Sequence, residues 1–263
     1  MTARYANNMR KKLIIKIGTS TLTAGTNRIS FAVIESLARQ IVELKKEYDI
    51  VIVSSGAIAT ARQFVEINGF HKNVDSKQAM AAIGQTKLME LYDDIFRTFG
   101  LNIAQILLTY RDFENETANE NTRNTINKLW EVDYIPIVNE NDTVSIEEIV
   151  LGDNDKLSAL VAVITKADLL ILVSDIDGIY TCNPHLHQDA ELITSVTDLN
   201  SITHCVEEKE STLGTGGMSS KIYAAEVCMR HRVEMWIVNG QRANYIIKAL
   251  NGGIPFTRFK AKE

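Results

Sequence analysis

The hydrophobic and polar positions of the chain form a repeating series of continuous apolar runs and amphipathic stretches. Leu13-Ile14-Ile15-Lys16-Ile17 sets four aliphatic residues around one lysine without alternation, the pattern of a strand buried on both faces in a parallel sheet. After Ser30, a cap residue, Ile34, Leu37, Ala38, Ile41 and Val42 share one helical face. Ile50-Val51-Ile52-Val53 is a second continuous run, closed by Ser54-Ser55-Gly56-Ala57. Strand, helix, strand in that order implies a right-handed crossover between parallel strands.

The series continues to the end of the chain. A long helix is predicted from Ser76 to Phe99, stopped by Gly100, with Leu88, Leu91, Ile95 and Phe99 on its buried side. Met80, Met89 and Phe96 are expected in the core or a subunit interface. A strand over Ile103 to Leu108, a polar helix over Asn119 to Trp130 and a strand over Tyr134 to Val138 come next. Pro136 limits pairing at its own position, and the strand runs into Asn139-Glu140-Asn141-Asp142. Val144 to Val150 leads to Gly152-Asp153-Asn154-Asp155 and a helix over Lys156 to Thr165. The strand Leu169 to Val173 ends in Ser174-Asp175, with a turn at Asp177-Gly178. Tyr180 to Glu210 has weak periodicity, which predicts a hairpin or lid. The loop Gly214-Thr215-Gly216-Gly217, a helix from Met218 to His231 and a strand from Val233 to Val238 follow. The expectation is a flexible tail over 1–12 and one α/β domain over 13–263.

Composition narrows this picture. The 263 residues suffice for one large α/β core, and 45% hydrophobic with 23% charged residues describes a soluble globular chain. A net charge of -5 gives no general attraction to nucleic acid or anionic membrane, so neither is an expected partner. Cys182, Cys205 and Cys228 form no C-x-x-C pair, which argues against a disulfide framework and for a reducing compartment. No apolar run is long enough to span a membrane, and a cytoplasmic location is expected.

The candidate chemistry lies at strand ends, where open parallel sheets bind ligands. Lys16 is either a lysine snorkelling at the end of its strand or an ammonium held for an anion, and the strand alone leaves both open. The stretch Gly214 to Lys221 is either a flexible glycine turn or a phosphate cradle, with backbone N–H groups, a helix N-terminus and a lysine one turn in. It matches neither the P-loop nor the G-x-G-x-x-G spacing. Two lysines and several acids without a paired histidine base suit phosphoryl transfer, which depends on positioning and charge neutralisation. A carboxylate nucleophile is already ionised at neutral pH and needs no base. His185-x-His187 lacks a carboxylate cluster at ligand spacing, so no protein-bound metal is expected there.

These residues resemble the amino-acid kinase superfamily and, within it, the glutamate 5-kinase family, over nearly all of 12–250. The resemblance rests on Lys16 to Ser20, Ser54 to Ala59, Ser76 to Gln85, Leu107 to Thr109, Asn139 to Asp142, Gly152 to Asp155, Asp177 to Tyr180 and Gly214 to Met218. It implies a three-layer αβα sandwich around a mainly parallel sheet. It also implies transfer of phosphate from ATP, with Mg²⁺, to the side-chain carboxylate of L-glutamate, the first step of proline biosynthesis. Lys16 and Lys221 match the lysines flanking the phosphoryl group, and Asp155 the carboxylate orienting them. Ser55, Asp142 and Asn154, with Asp153 beside them, match glutamate-binding positions. Ser174, Asp175 and the run Thr215, Gly216, Gly217, Met218, Ser219, Ser220 and Lys221 match nucleotide-binding segments. Feedback inhibition by proline and a homo-oligomer, dimer or tetramer, are implied as well. Many members continue into a C-terminal PUA domain, which is not expected here because the sequence stops at Glu263. Two alternatives stay open: a kinase of another amino-acid carboxylate, aspartate or N-acetylglutamate, and a non-catalytic amino-acid sensor.

Overall fold

The computed structural model describes residues 10–66, 73–144, 154–184, 186–187, 189–202 and 217–261. In chain order these form β1 (Lys11–Ile17), α1 (Thr19–Leu22), α2 (Phe31–Leu44), β2 (Tyr48–Ser54), α3 (Ala57–Ala61), α4 (Val74–Thr98) and β3 (Asn102–Leu108). Then come α5 (Tyr110–Glu114), α6 (Glu116–Glu131), β4 (Tyr134–Glu140), α7 (Asn154–Thr165), β5 (Leu169–Ser174), β6 (Ile179–Tyr180), β7 (Leu192–Ile193) and β8 (Ser195–Val196). A 3₁₀ turn (Leu199–Ile202), α8 (Met218–Arg230), β9 (Glu234–Asn239), α9 (Tyr245–Leu250) and β10 (Thr257–Phe259) complete it.

Eight strands form one sheet in the order β3-β4-β2-β1-β5-β9-β10-β8. The pairings β3–β4, β4–β2, β2–β1, β1–β5 and β5–β9 are all parallel; β10 runs antiparallel to β9. Leu13, Ile14, Ile15 and Ile17 are fully buried, as their unbroken run predicts. The side chains split by parity: Leu13, Ile15 and Ile17 pack with α2, α4 and α9, while Ile14 packs with α6, α7 and α8. The result is three layers, α, β and α, and each fully buried aliphatic side chain contributes roughly 1.5–3 kcal/mol. No helix among the described residues is long and apolar enough to cross a membrane.

Several boundaries differ from those expected. The buried stripe of α4 is Met80, Ala81, Gly84, Gln85, Leu88, Tyr92 and Phe96, whereas Leu91, Ile95 and Phe99 are only half-buried on its flank. Gly84 sets this stripe, because a Cβ there would lie 1.7 Å from the Ala57 carbonyl oxygen of α3. Ser30 stands at the N-cap of α2 without making a side-chain cap bond. The β2–β4 ladder covers only Ile52 with Ile137 and Val53 with Val138, starting just past Pro136, which has no N–H to give. The hairpin or lid expected over Tyr180 to Glu210 begins as an antiparallel β6–β7 hairpin and continues into β8 of the main sheet; its part from 203 onward lies outside the described residues.

Candidate active site

All parallel strands end on one edge, and the sequence candidates among the described residues gather there. Lys16 leaves β1 with 5% exposure, and its Nζ lies 2.5 Å from Asp155 Oδ1. Lys221, one turn into α8, puts its Nζ 2.9 Å from Asp155 Oδ2. Asp155 is fully buried in the first turn of α7, a helix that starts two residues before the expected Lys156. Ser220 donates its hydroxyl to Asp155 Oδ2 at 3.2 Å. One carboxylate thus holds two ammonium groups at the mouth of the sheet. Burial by itself would raise the Asp155 pKa, but the charges and hydrogen bonds of Lys16 and Lys221 override it and hold the carboxyl well below its ordinary range.

The neighbouring residue, Asn154, faces the other half of the edge. Its amide donates to the Ser54 carbonyl and to Asn139 Oδ1, both at 2.7 Å. Asn139 donates in turn to Gln85 Oε1 at 2.7 Å, and Gln85 to Gln105 Oε1 at 3.1 Å. This chain, buried at Asn154, Asn139 and Gln85 and reaching the surface at Gln105, ties α7, β2, β4, α4 and β3 together and fixes the rotamers of its buried members. Gln85 had no role assigned from sequence; the signal was its polar character between Ala81, Gly84 and Leu88 on a buried helical face. Ser55 follows β2, its N–H bonded to the Ile17 carbonyl at 3.1 Å. Gly56 takes φ 101°, a left-handed turn open to glycine that leads into α3. Ser54 Oγ meets Tyr92 OH at 3.0 Å, which anchors this turn to α4. Asp142 sits just beyond β4, and burial pushes its pKa up to about 6.

At the end of β5, Ser174 is buried and Asp175 is exposed beside it. The Ser174 hydroxyl donates to Asp175 Oδ1 at 3.3 Å. Asp177 accepts a bidentate pair from Arg242, 2.7 Å on each oxygen, and a 3.0 Å bond from Asn239. The Arg242 bonds in particular hold its carboxyl below the usual range, and they fix the turn into the β6–β7 hairpin. Gly217, Met218, Ser219 and Ser220 form the start of α8, with Gly217 at the N-cap and no acid in the first turn. Asp153, Thr215 and Gly216 lie outside the described residues. Lys156, beside Asp155, stacks between the rings of Tyr110 and Tyr223 at 4.4 and 5.0 Å from their centres.

Residues 11–239 match the amino acid kinase family. The glutamate 5-kinase of Clostridium tetani is 42% identical over 253 residues, which cover 95% of this chain and 95% of that protein. The glutamate 5-kinase of Dehalococcoides mccartyi strain CBDB1 is 44% identical over 257 residues, covering 96% of this chain and 69% of that protein. The similar proteins therefore come in a shorter and a longer form. UMP kinase from Ureaplasma parvum shares the fold, with a TM-score of 0.69 over 96% of this chain and 100% of that one, at 17% identity. The family match over most of the chain and the identity to relatives over nearly its whole length agree: the chain belongs to the amino acid kinase family, in its glutamate 5-kinase branch.

Proposed function

We propose that this protein transfers the γ-phosphoryl group of ATP to the side-chain carboxylate of L-glutamate, giving L-glutamyl 5-phosphate in the first step of proline biosynthesis. The observation that carries this reading is the pair of buried lysines, Lys16 and Lys221, converging on Asp155 from the end of β1 and the first turn of α8. Attack of one anion on another is opposed by repulsion, and two ammonium groups at the reacting oxygens offset it as charge spreads in the transition state. The acceptor carboxylate is ionised at neutral pH, so no side chain has to remove a proton.

Asp155 acts on the lysines rather than on the substrate, holding both ammonium groups at one place before the phosphates arrive. The start of α8 adds backbone N–H donors beside Lys221, where a phosphate is stabilised by the helix terminus. Ser174, Asp175 and the run Thr215 to Lys221 are assigned to the nucleotide, and Ser55, Asp142, Asn154 and Asp153 to glutamate. An ionised Asp142 suits the substrate ammonium, and Asn154, whose two side-chain N–H groups go to Ser54 and Asn139, holds β2 and β4 in place on the glutamate side. Asp155 meets a lysine at each oxygen, which leaves it poorly suited to a metal. We therefore assign Mg²⁺ to the nucleotide substrate, carried by its phosphates.

The described residues are read as one amino-acid kinase domain working in the cytoplasm as a homo-oligomer. The test is ADP release across glutamate, aspartate and N-acetylglutamate, each with and without proline. Glutamate-dependent turnover that proline inhibits is expected. Turnover with aspartate or N-acetylglutamate instead, or tight glutamate binding by calorimetry with no ADP release, overturns the assignment. Light scattering of the eluted protein reads the oligomer.

A further inference from the structure

The loop joining β6 to β7 gathers three metal-binding side chains that phosphoryl transfer does not use. A ligand atom each from Cys182, His187 and Asp189 lies within 4.8 Å of the other two, with Cys182 half-buried and the other two exposed. Among the described residues no other trio of His, Cys, Asp or Glu donors draws together as closely. Zinc bonds of about 2.0–2.3 Å in a tetrahedron hold ligands roughly 3.3–3.8 Å apart. Side-chain rotation of about 1 Å closes that difference, which is within rotamer freedom on an exposed loop.

The backbone holds this arrangement without help from an ion. Thr181 N–H donates to the Glu191 carbonyl at 2.9 Å, and Glu191 N–H to Thr181 Oγ1 at 3.0 Å, closing the neck of the loop. Within it, the Asn183 carbonyl accepts from Leu186 N–H at 3.0 Å and His187 N–H at 2.9 Å. The Ala190 N–H donates to the His187 carbonyl at 3.4 Å. Cys182 on the outgoing arm thereby faces His187 and Asp189 on the returning arm. A thiolate, an imidazole and a carboxylate form a borderline-soft set that suits Zn²⁺ and is a poor match for Mg²⁺, which takes oxygen ligands. The sequence spacing alone argued against a metal at His187 because no carboxylate cluster stood at ligand spacing; the loop's fold instead joins the single carboxylate of Asp189 to the Cys182 thiol.

We propose that Cys182, His187 and Asp189 bind one Zn²⁺, with the fourth position open to water. The thiol gives its proton to solvent on binding and the imidazole binds neutral, so acid weakens the site. The ion would cross-link the two arms of a hairpin whose base is already fixed, at Ile179 N–H by Thr257 and at Asp177 by Arg242.

The test uses the full chain, reduced, stripped with chelator and titrated with Co²⁺ alone, then with Zn²⁺. One equivalent of Co²⁺ should give a thiolate-to-cobalt charge-transfer band and the visible intensity of a four-coordinate ion; Zn²⁺ should bleach both and excess Mg²⁺ should not. Cys182→Ser should abolish the band, His187→Ala and Asp189→Asn should each weaken binding at least about 10-fold, and Cys228→Ser should change nothing. Melting curves verify that each variant is folded. The proposal is overturned by absence of stoichiometric uptake, by a band that survives Cys182→Ser, or by full affinity in both His187→Ala and Asp189→Asn. Cys182→Ser should keep wild-type turnover with glutamate, so failure of the zinc site and failure of the kinase assignment are read separately.

Discussion

Replacing Asp155 with asparagine keeps the shape of the side chain and removes the one charge that two buried lysines share. At 2.5 and 2.9 Å and an effective dielectric near 20, each contact amounts to about 6 kcal/mol of gross attraction. Most of that is offset by the cost of taking three charges out of water. The loss on removing one partner of a buried pair is about 3–5 kcal/mol, because the remaining charge is left uncompensated. Here two remain, at 5% and 8% exposure, and they repel each other, so the upper end of that range is expected. The assay is urea unfolding of wild type and Asp155→Asn with and without ATP. The variant should lose about 5 kcal/mol without nucleotide and recover part of it on adding ATP, whose phosphates replace the missing anion. Turnover should collapse, since the lysines are no longer held together. The pH dependence follows the same logic. A carboxyl with a depressed folded pKa stabilises fully above its unfolded value near 3.9 and loses that contribution as pH falls toward the folded one. Wild type should therefore lose more stability than Asp155→Asn below about pH 4. An unchanged urea midpoint in the variant, or no effect of ATP on it, would refute the reasoning.

Other substitutions test separate parts of the site. Lys221→Ala should lower kcat by several orders of magnitude while the protein still folds, because Lys16 continues to pair with Asp155; near-normal kcat removes Lys221 from the reaction. With the Asp142 pKa at about 6, its ionised form falls from about nine-tenths to about one-tenth between pH 7 and 5. Apparent glutamate KM should rise roughly 10-fold over that interval, and Asp142→Asn should show a raised KM with no such slope. A KM independent of pH in wild type undoes the ammonium-binding role. Lys156→Met removes a cation held between two tyrosine rings and should cost about 1–2 kcal/mol of stability, whereas Lys156→Arg restores it; equal losses in both variants would show that the rings and not the charge matter.

The amino-acid sequence by itself determined the layers and the edge. Continuous runs such as Leu13 to Ile17 and Leu169 to Val173 record burial on both faces, and period 3.6 in Phe31 to Leu44 records burial on one. Both signals are local, so strands and long helices were legible, as were the polar residues that follow them. Short elements were not. The helices Ala57–Ala61 and Tyr245–Leu250 have too few turns to show a period, and Thr257–Phe259 is a strand only because β9 and β8 lie on either side of it. The buried side of α4 was misplaced because Gly84, which carries no hydrophobic signal, is where α3 packs closest. The tertiary structure alone decided what the strand-end residues do to one another. Lys16 and Asp155 are 139 positions apart, and Asp155 and Lys221 are 66 apart. Their meeting depends on the order β2-β1-β5-β9 and on α7 and α8 packing side by side on one face. Pairing between distant strands is set by the collective burial of the whole sheet rather than by any short stretch, so local pattern marked the ligand edge, while the grouping of Lys16, Lys221 and Asp155 came from the family resemblance and its geometry only from the tertiary structure.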